Sequence, residues 1–281
     1  WWSNRDGTGT NPANFTQDNK QYIIEDDGSS TAAAWTVSGT NSKVIIETGI
    51  GFTVSNGNTV TATIELEGTA AITIDDGTNP TLSVISSTST VTYSTNSASI
   101  ETTTYGNLVI DKALALSGDI TVSGALTLND VLTLNGNILT LDGTIAGASA
   151  ISGSNASDII IGGTGALGTI QFTTGNELLE NLTINRTTAG TVTLGSNLTI
   201  GGATGGTGLL TLTDGALDLN SKGLTFTNSA TAITTGTITG SNTSSITING
   251  AGTFGAGIAM NQTSASTRTI MSLDFDRTGV D

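Results

Sequence analysis

The chain has 281 residues, 37 of them Gly and only 2 Pro, with 11% charged residues and roughly one residue in five Thr. Its net charge of −15, with only 8 Lys and Arg, excludes the basic surface that nucleic acid or an anionic membrane demands. Zero Cys excludes disulfides and thiolate metal sites, and zero His removes the commonest general base and transition-metal ligand.

Residues 1–35 open the chain with Trp1, Trp2, Phe15, Tyr22 and Trp35. A stack of strands needs a cap over its first interior layer, so this aromatic-rich segment reads as an N-terminal cap or docking segment. Residues 36–106 contain KVIIE (43–47), TATIELE (61–67) and AITID (71–75), which read as irregular β-solenoid rungs. From 107 the sequence echoes itself. NLVIDK (107–112) recurs as NLTINR (181–186), ITVSGALTL (120–128) as VTLGSNLTI (192–200), and VLTLNGNILTL (131–141) as LLTLTDGALDL (209–219). Two long units follow, at 107–180 and 181–267, and residues 268–281 read as the start of a third with an open C-terminal end. Equivalent positions should then share a face, which places Leu108 on the same side as Leu182.

Within a unit, Leu126, Leu128, Leu132 and Leu134 alternate with Thr127 and Thr133, the period-2 signature of strands with one inner face. Three such strands per rung of roughly 20–24 residues make a right-handed parallel β-helix, or β-solenoid, an all-β fold. A β-sandwich is the alternative, but it gives no reason for the strand ladder to repeat in order over two long units.

The residues that carry chemistry are few. GTGALG (163–168) and GAGTFG (250–255) match a dinucleotide fingerprint, yet TIQF after the first of them reads as a strand rather than a phosphate-binding helix, so both read as turns. Glu65 and Glu67 share a strand face, as a carbohydrate-active β-helix would arrange its carboxylates, but no convincing catalytic cluster forms and the chain is read as no enzyme. Asp26, Asp27, Asp75 and Asp76 sit in turn sequences, where Ca²⁺ is a weak expectation and no other cofactor is implied. Thr-x-Thr pairs, such as Thr191 with Thr193, are the element of a ranked ice-binding array, but the spacing between the pairs is irregular and outward Thr on strands explains them. Lys112, Arg186 and Arg277 share one slot at three unit starts, either as solvated turn charges or as a basic stripe facing a neighbour or an acidic glycan.

The NLxI(D/N)(K/R) element, the LTL-NG-LTLDG runs and the opening WSNRDGTGTNPANF (2–15) resemble the repeat-rich β-helix surface proteins of the Bacteroidetes type, many of them type IX secreted. The resemblance implies surface adhesion or fibre formation. No run approaches the length of a membrane helix, and the start at Trp1 without a basic-then-apolar leader sets the expectation of an extracellular or cell-surface protein after signal-peptide removal. The expected role is structural: a subunit or segment of a surface fibre or adhesin whose partner is itself, head to tail, with surface glycans or other cells as further targets. Trp1, Trp2 and Phe15 at one end and Ile270, Leu273 and Phe275 at the other are the expected self-association residues. The alternative is a carbohydrate-binding or carbohydrate-active β-helix.

Overall fold

Alternating apolar residues separated by Gly, Asn and Asp produce short strands joined by tight turns. A computed structural model describes residues 15–75, 79–95, 99–188, 190–201, 208–227, 231–234, 236–249 and 272–276, with 231–234, 248, 249 and 272–276 described as backbone alone. Among these residues every regular element is a strand, and neighbouring strands pair in parallel one turn apart. The fold is a β-solenoid. The chain forms two compact units, 1–130 and 131–281.

In the N-terminal unit one ladder runs through Gln21–Ile24, Lys43–Ile46, Thr63–Leu66 and Thr81–Ile85, and another through Gly51–Val54, Ala71–Ile74, Thr90–Tyr93, Asn107–Ile110 and Ala125–Leu128. Each turn consumes roughly 17 to 28 residues across the chain. The interior is a column of stacked aliphatics. Phe52, Ile72, Val91, Leu108 and Leu126 lie one above the next, and all are buried. Thr and Ser occupy the alternate, outward positions, where a β-branched side chain suits the pleat.

The C-terminal unit repeats the arrangement. One ladder joins Ile138–Leu141, Asp158–Ile161, Asn181–Asn185, Leu209–Asp214 and Thr231–Thr234. A second joins Gly168–Ile170, Thr191–Leu194, Ala216–Asp218 and Thr237–Thr239. A third runs from Leu178–Leu179 through Leu198–Ile200, Gly223–Thr227 and Ser245–Asn249 to Ser272–Asp276. Leu139, Ile159, Leu182 and Leu210 form one interior file, all buried.

Three expectations meet the strand pairing. The ladder already begins at Gln21, and Trp35–Thr36 pairs with Val60–Thr61, so residues 21–35 of the expected cap segment take part in strand pairing beside an aromatic cluster of Phe15, Tyr22 and Trp35. Residues 36–106, irregular in sequence echo, pair as regularly as the rest apart from a register shift between Ile64 and Glu65. Finally, the long-unit echo does not describe stacking. Leu108 lies on a ladder with Val91 and Leu126, whereas Leu182 lies on one with Ile159 and Leu210, and the two strands belong to different sheets. What stacks is the single turn. A similar strand-and-turn phrase can serve any side of a solenoid, because each side demands the same alternation of inward and outward residues.

Candidate functional site

Aromatic residues gather where the N-terminal ladder begins. The Phe15 ring meets Tyr22 edge-on at 5.0 Å and lies 5.9 Å from Trp35, which in turn is 6.4 Å from Phe52. Beside this cluster is a cleft of about 460 Å³, lined by Ile23, Ile24, Ser30, Ala33, Trp35 and Phe52 among others. The expected aromatic gathering at this end is present at Phe15, while Trp1 and Trp2 lie outside the described residues. So do Ile270, Arg277 and Asp76, as does GAGTFG. The backbone of Leu273 pairs with Ile246 and that of Phe275 with Ile248.

The acidic candidates are dispersed. The Asp27 carboxylate accepts from the Gly51 amide at 2.8 Å, and the Asp26 carbonyl accepts from the Ser29 hydroxyl at 2.5 Å, as turn residues do. The Asp75 carboxylate accepts from the Ser94 hydroxyl at 3.1 Å. Among the described residues no three Asp or Glu side chains come together as a metal ligand set. Glu65 is occupied by Lys43, whose Nζ lies 2.8 Å from both carboxylate oxygens across adjacent turns. With side chains 28% and 17% exposed, this pair is partly solvated. Glu65→Gln is therefore expected to cost about 1 kcal/mol or less, and the cost should shrink in molar salt, as denaturant titration of variant and parent will read out.

The repeated basic slot divides in two. Lys112 is exposed, as a solvated turn charge should be, but Arg186 is 1% exposed and is no part of a surface stripe. Its position explains this. Leu182, Ile184 and Arg186 fall on the same inward phase of the strand, whose register shifts between Ile184 and Asn185. The guanidinium donates to five backbone carbonyls: Gly165 at 2.5 Å from Nε, Gly162 at 2.5 Å from Nη1, and Gly143, Thr164 and Ala166 at 2.6, 2.9 and 3.4 Å from Nη2. Burial pulls its pKa below the usual arginine value, and the nearby charge of Asp142 partly offsets this.

The GTGALG segment supplies three of these five carbonyls, those of Thr164, Gly165 and Ala166. Gly163 has φ +77°, and a Cβ there would meet the Asp142 carbonyl oxygen at 1.8 Å. At Gly190 a Cβ would lie 2.5 Å from Cγ of Arg186. The glycine pattern is thus a turn that aims carbonyls inward at a cation, the opposite polarity from a phosphate-binding loop, which aims N–H groups at an anion.

A second buried polar group belongs to the N-terminal unit. The hydroxyls of Tyr93 and Tyr105 are 3.1 Å apart, Tyr105 donates to the Glu101 carbonyl at 2.8 Å, and Tyr93 accepts from the Glu101 amide at 3.2 Å. Both rings are fully buried. Burial pushes the Tyr93 pKa up to about 12 and raises that of Tyr105 further, with the neighbouring Tyr93 acting in the same direction. The Glu101 carboxyl is also raised by burial, against a hydrogen bond from the Leu82 amide at 3.0 Å. Both polar groups are internal braces that tie backbone of neighbouring segments together.

Compared with family models, curated proteins and solved structures, the chain matches none. No helix among the described residues is long and apolar enough to cross a membrane.

Proposed function

We propose that this chain is an extracellular structural protein, a segment or subunit of a bacterial surface fibre or adhesin that self-associates end to end. The observation that carries the reading is the parallel stacking of strands turn on turn in each unit, down to the backbone of Ser272–Asp276, which pairs with Ser245–Asn249. Gln21–Ile24 stands first in its own sheet, next to the aromatic cluster. An edge strand presents a row of N–H and C=O groups to another chain, and contact between two unlike ends propagates as a filament instead of closing as a dimer. The braces at Arg186 and Tyr93 serve rigidity, which a fibre needs.

Negative-stain microscopy and sedimentation over a range of concentrations test this. Filaments should lengthen with concentration, and Leu273→Lys with Phe275→Lys should leave folded single chains. Monodisperse single chains at every concentration, or filaments indifferent to the double substitution, overturn it. One observation favours carbohydrate binding as a second reading, namely the cleft faced by Trp35 and Phe52, since sugar rings stack on aromatic platforms. Titration of the chain with neutral oligosaccharides, with Trp35→Ala as control, decides it.

A further inference from the structure

The ladder from Gly51–Val54 to Ala125–Leu128 turns a distinctive surface outward. Its five strands pair one to one with no register shift. Thr53, Thr73, Thr92, Val109 and Thr127 therefore form a single file, each half-exposed above the buried column. A second file, two residues back along each strand, contains Gly51, Ala71, Thr90 and Ala125. Asn107 completes it and turns its amide into the stack, donating to the Thr88 and Ser89 carbonyls and accepting from the Ala125 amide at 2.9 Å.

None of these ten side chains is charged, on a chain whose net charge is −15. No hydrogen bond between described residues engages the hydroxyls of Thr53, Thr73, Thr92 or Thr127. The face therefore offers a row of free hydroxyls and methyls at the strand spacing.

We propose that this face binds ice. Strand spacing sets the Thr file at roughly 4.8 Å, close to the roughly 4.5 Å oxygen repeat of ice, and the two files stand roughly 7 Å apart. Free hydroxyls hydrogen-bond lattice water, while the methyls between them order water without competing for it. Within the two files no ion competes for this water, and charge enters at the margin, where Asp75 and Asp111 hold the next outward position on two of the strands.

Magnitude and composition separate ice from other occupants. Five strands and two files cover about 300 Å², well short of the roughly 800 Å² per partner of a stable protein interface. A second copy of the chain is therefore a poor fit. A glycan would want an aromatic platform, and the two files contain none. Adsorption to ice needs only positional match, because each bound molecule has an effectively infinite partner.

The test uses the full chain, with thermal hysteresis and partition into a slowly grown ice hemisphere as readouts. The expected result is faceted crystals, a measurable hysteresis gap and enrichment in the ice fraction. Thr73→Tyr, which lifts the ice plane off the file, should abolish all three. Thr225→Tyr, on an outward strand position of the other unit, should leave them unchanged. Rounded crystals with no hysteresis from the unmodified chain overturn the proposal whether or not a variant folds. Full retention of activity in Thr73→Tyr, with the β circular dichroism intact, overturns it too, as does equal loss in Thr225→Tyr.

Discussion

Arg186→Ala is expected to destabilise the C-terminal unit by about 5 kcal/mol, and Arg186→Lys by about 3 kcal/mol. The alanine variant removes a buried guanidinium that donates to five carbonyls and leaves those oxygens without their shared donor. A hydrogen bond to a charged group contributes about 1.5–3 kcal/mol, but nearby bonds do not add, and some of the carbonyls recover water once a cavity opens, so the total stays below the simple sum. Lysine restores the charge without the planar fork, and its three rotatable donors cannot reach acceptors spread over Gly143, Gly162 and Gly165 at once. Amide hydrogen exchange across 138–227 reads the effect directly, with 21–75 as an internal reference. A loss under about 1 kcal/mol would mean that the guanidinium does not occupy the carbonyl cradle.

Raising the pH should unfold the N-terminal unit through its buried tyrosines. Unfolded tyrosine releases its proton near pH 10, whereas Tyr93 retains it to about 12 and Tyr105 is raised further. Between these limits the folded chain holds protons that the unfolded chain has lost, so stability falls as pH rises. Below pH 10 neither group contributes a slope. Tyr93 alone accounts for about 2.7 kcal/mol by the time its own pKa is passed, and Tyr105 adds to it in the same direction. Glu101 acts likewise at the acid end: its raised carboxyl pKa means that stability declines as pH climbs past the ordinary carboxylate range. Denaturant midpoints measured from pH 8 to 12 beside tyrosinate absorbance will show this. Tyr93→Phe should flatten the alkaline slope while costing about 1–2 kcal/mol at neutral pH for its lost bonds to Tyr105 and the Glu101 amide. An unchanged slope in that variant would remove Tyr93 from the explanation.

The alternation at Leu126, Leu128, Leu132 and Leu134 made the strands and their inner face legible, and all four leucines are buried. The period was harder, because NLVIDK and NLTINR satisfy the same local rule on different sheets. Similarity between two phrases reports shared strand chemistry, and only pairing fixes which phrases stack. Arg186 was misread because charge at a strand end ordinarily means solvent. The signal was its phase, two residues beyond Ile184, together with a glycine-rich stretch about one turn earlier, but the convergence of carbonyls depends on backbone angles such as that of Gly163, which composition does not reveal. The tyrosine pair was equally hidden, since Tyr93 and Tyr105 end strands of different sheets and their hydroxyls meet inside the fold. The outward Thr file emerged from one-to-one pairing of strands whose sequences show few Thr-x-Thr repeats.

Because each described strand is bonded only to the described strands one turn before and after it, tension on the chain is met turn by turn. A pull that detaches Gln21–Ile24 from Lys43–Ile46 breaks the bonds of four residue pairs and leaves the next pairing, to Thr63–Leu66, untouched. Each freed turn of roughly 20 residues yields about 70 Å of slack. A tether built this way absorbs load by lengthening in steps, and it can re-wind when the load falls. The steps should merge near Arg186, whose side chain fastens carbonyls of Gly143 and of Gly162 to Ala166 to its own strand, so that these turns give way together.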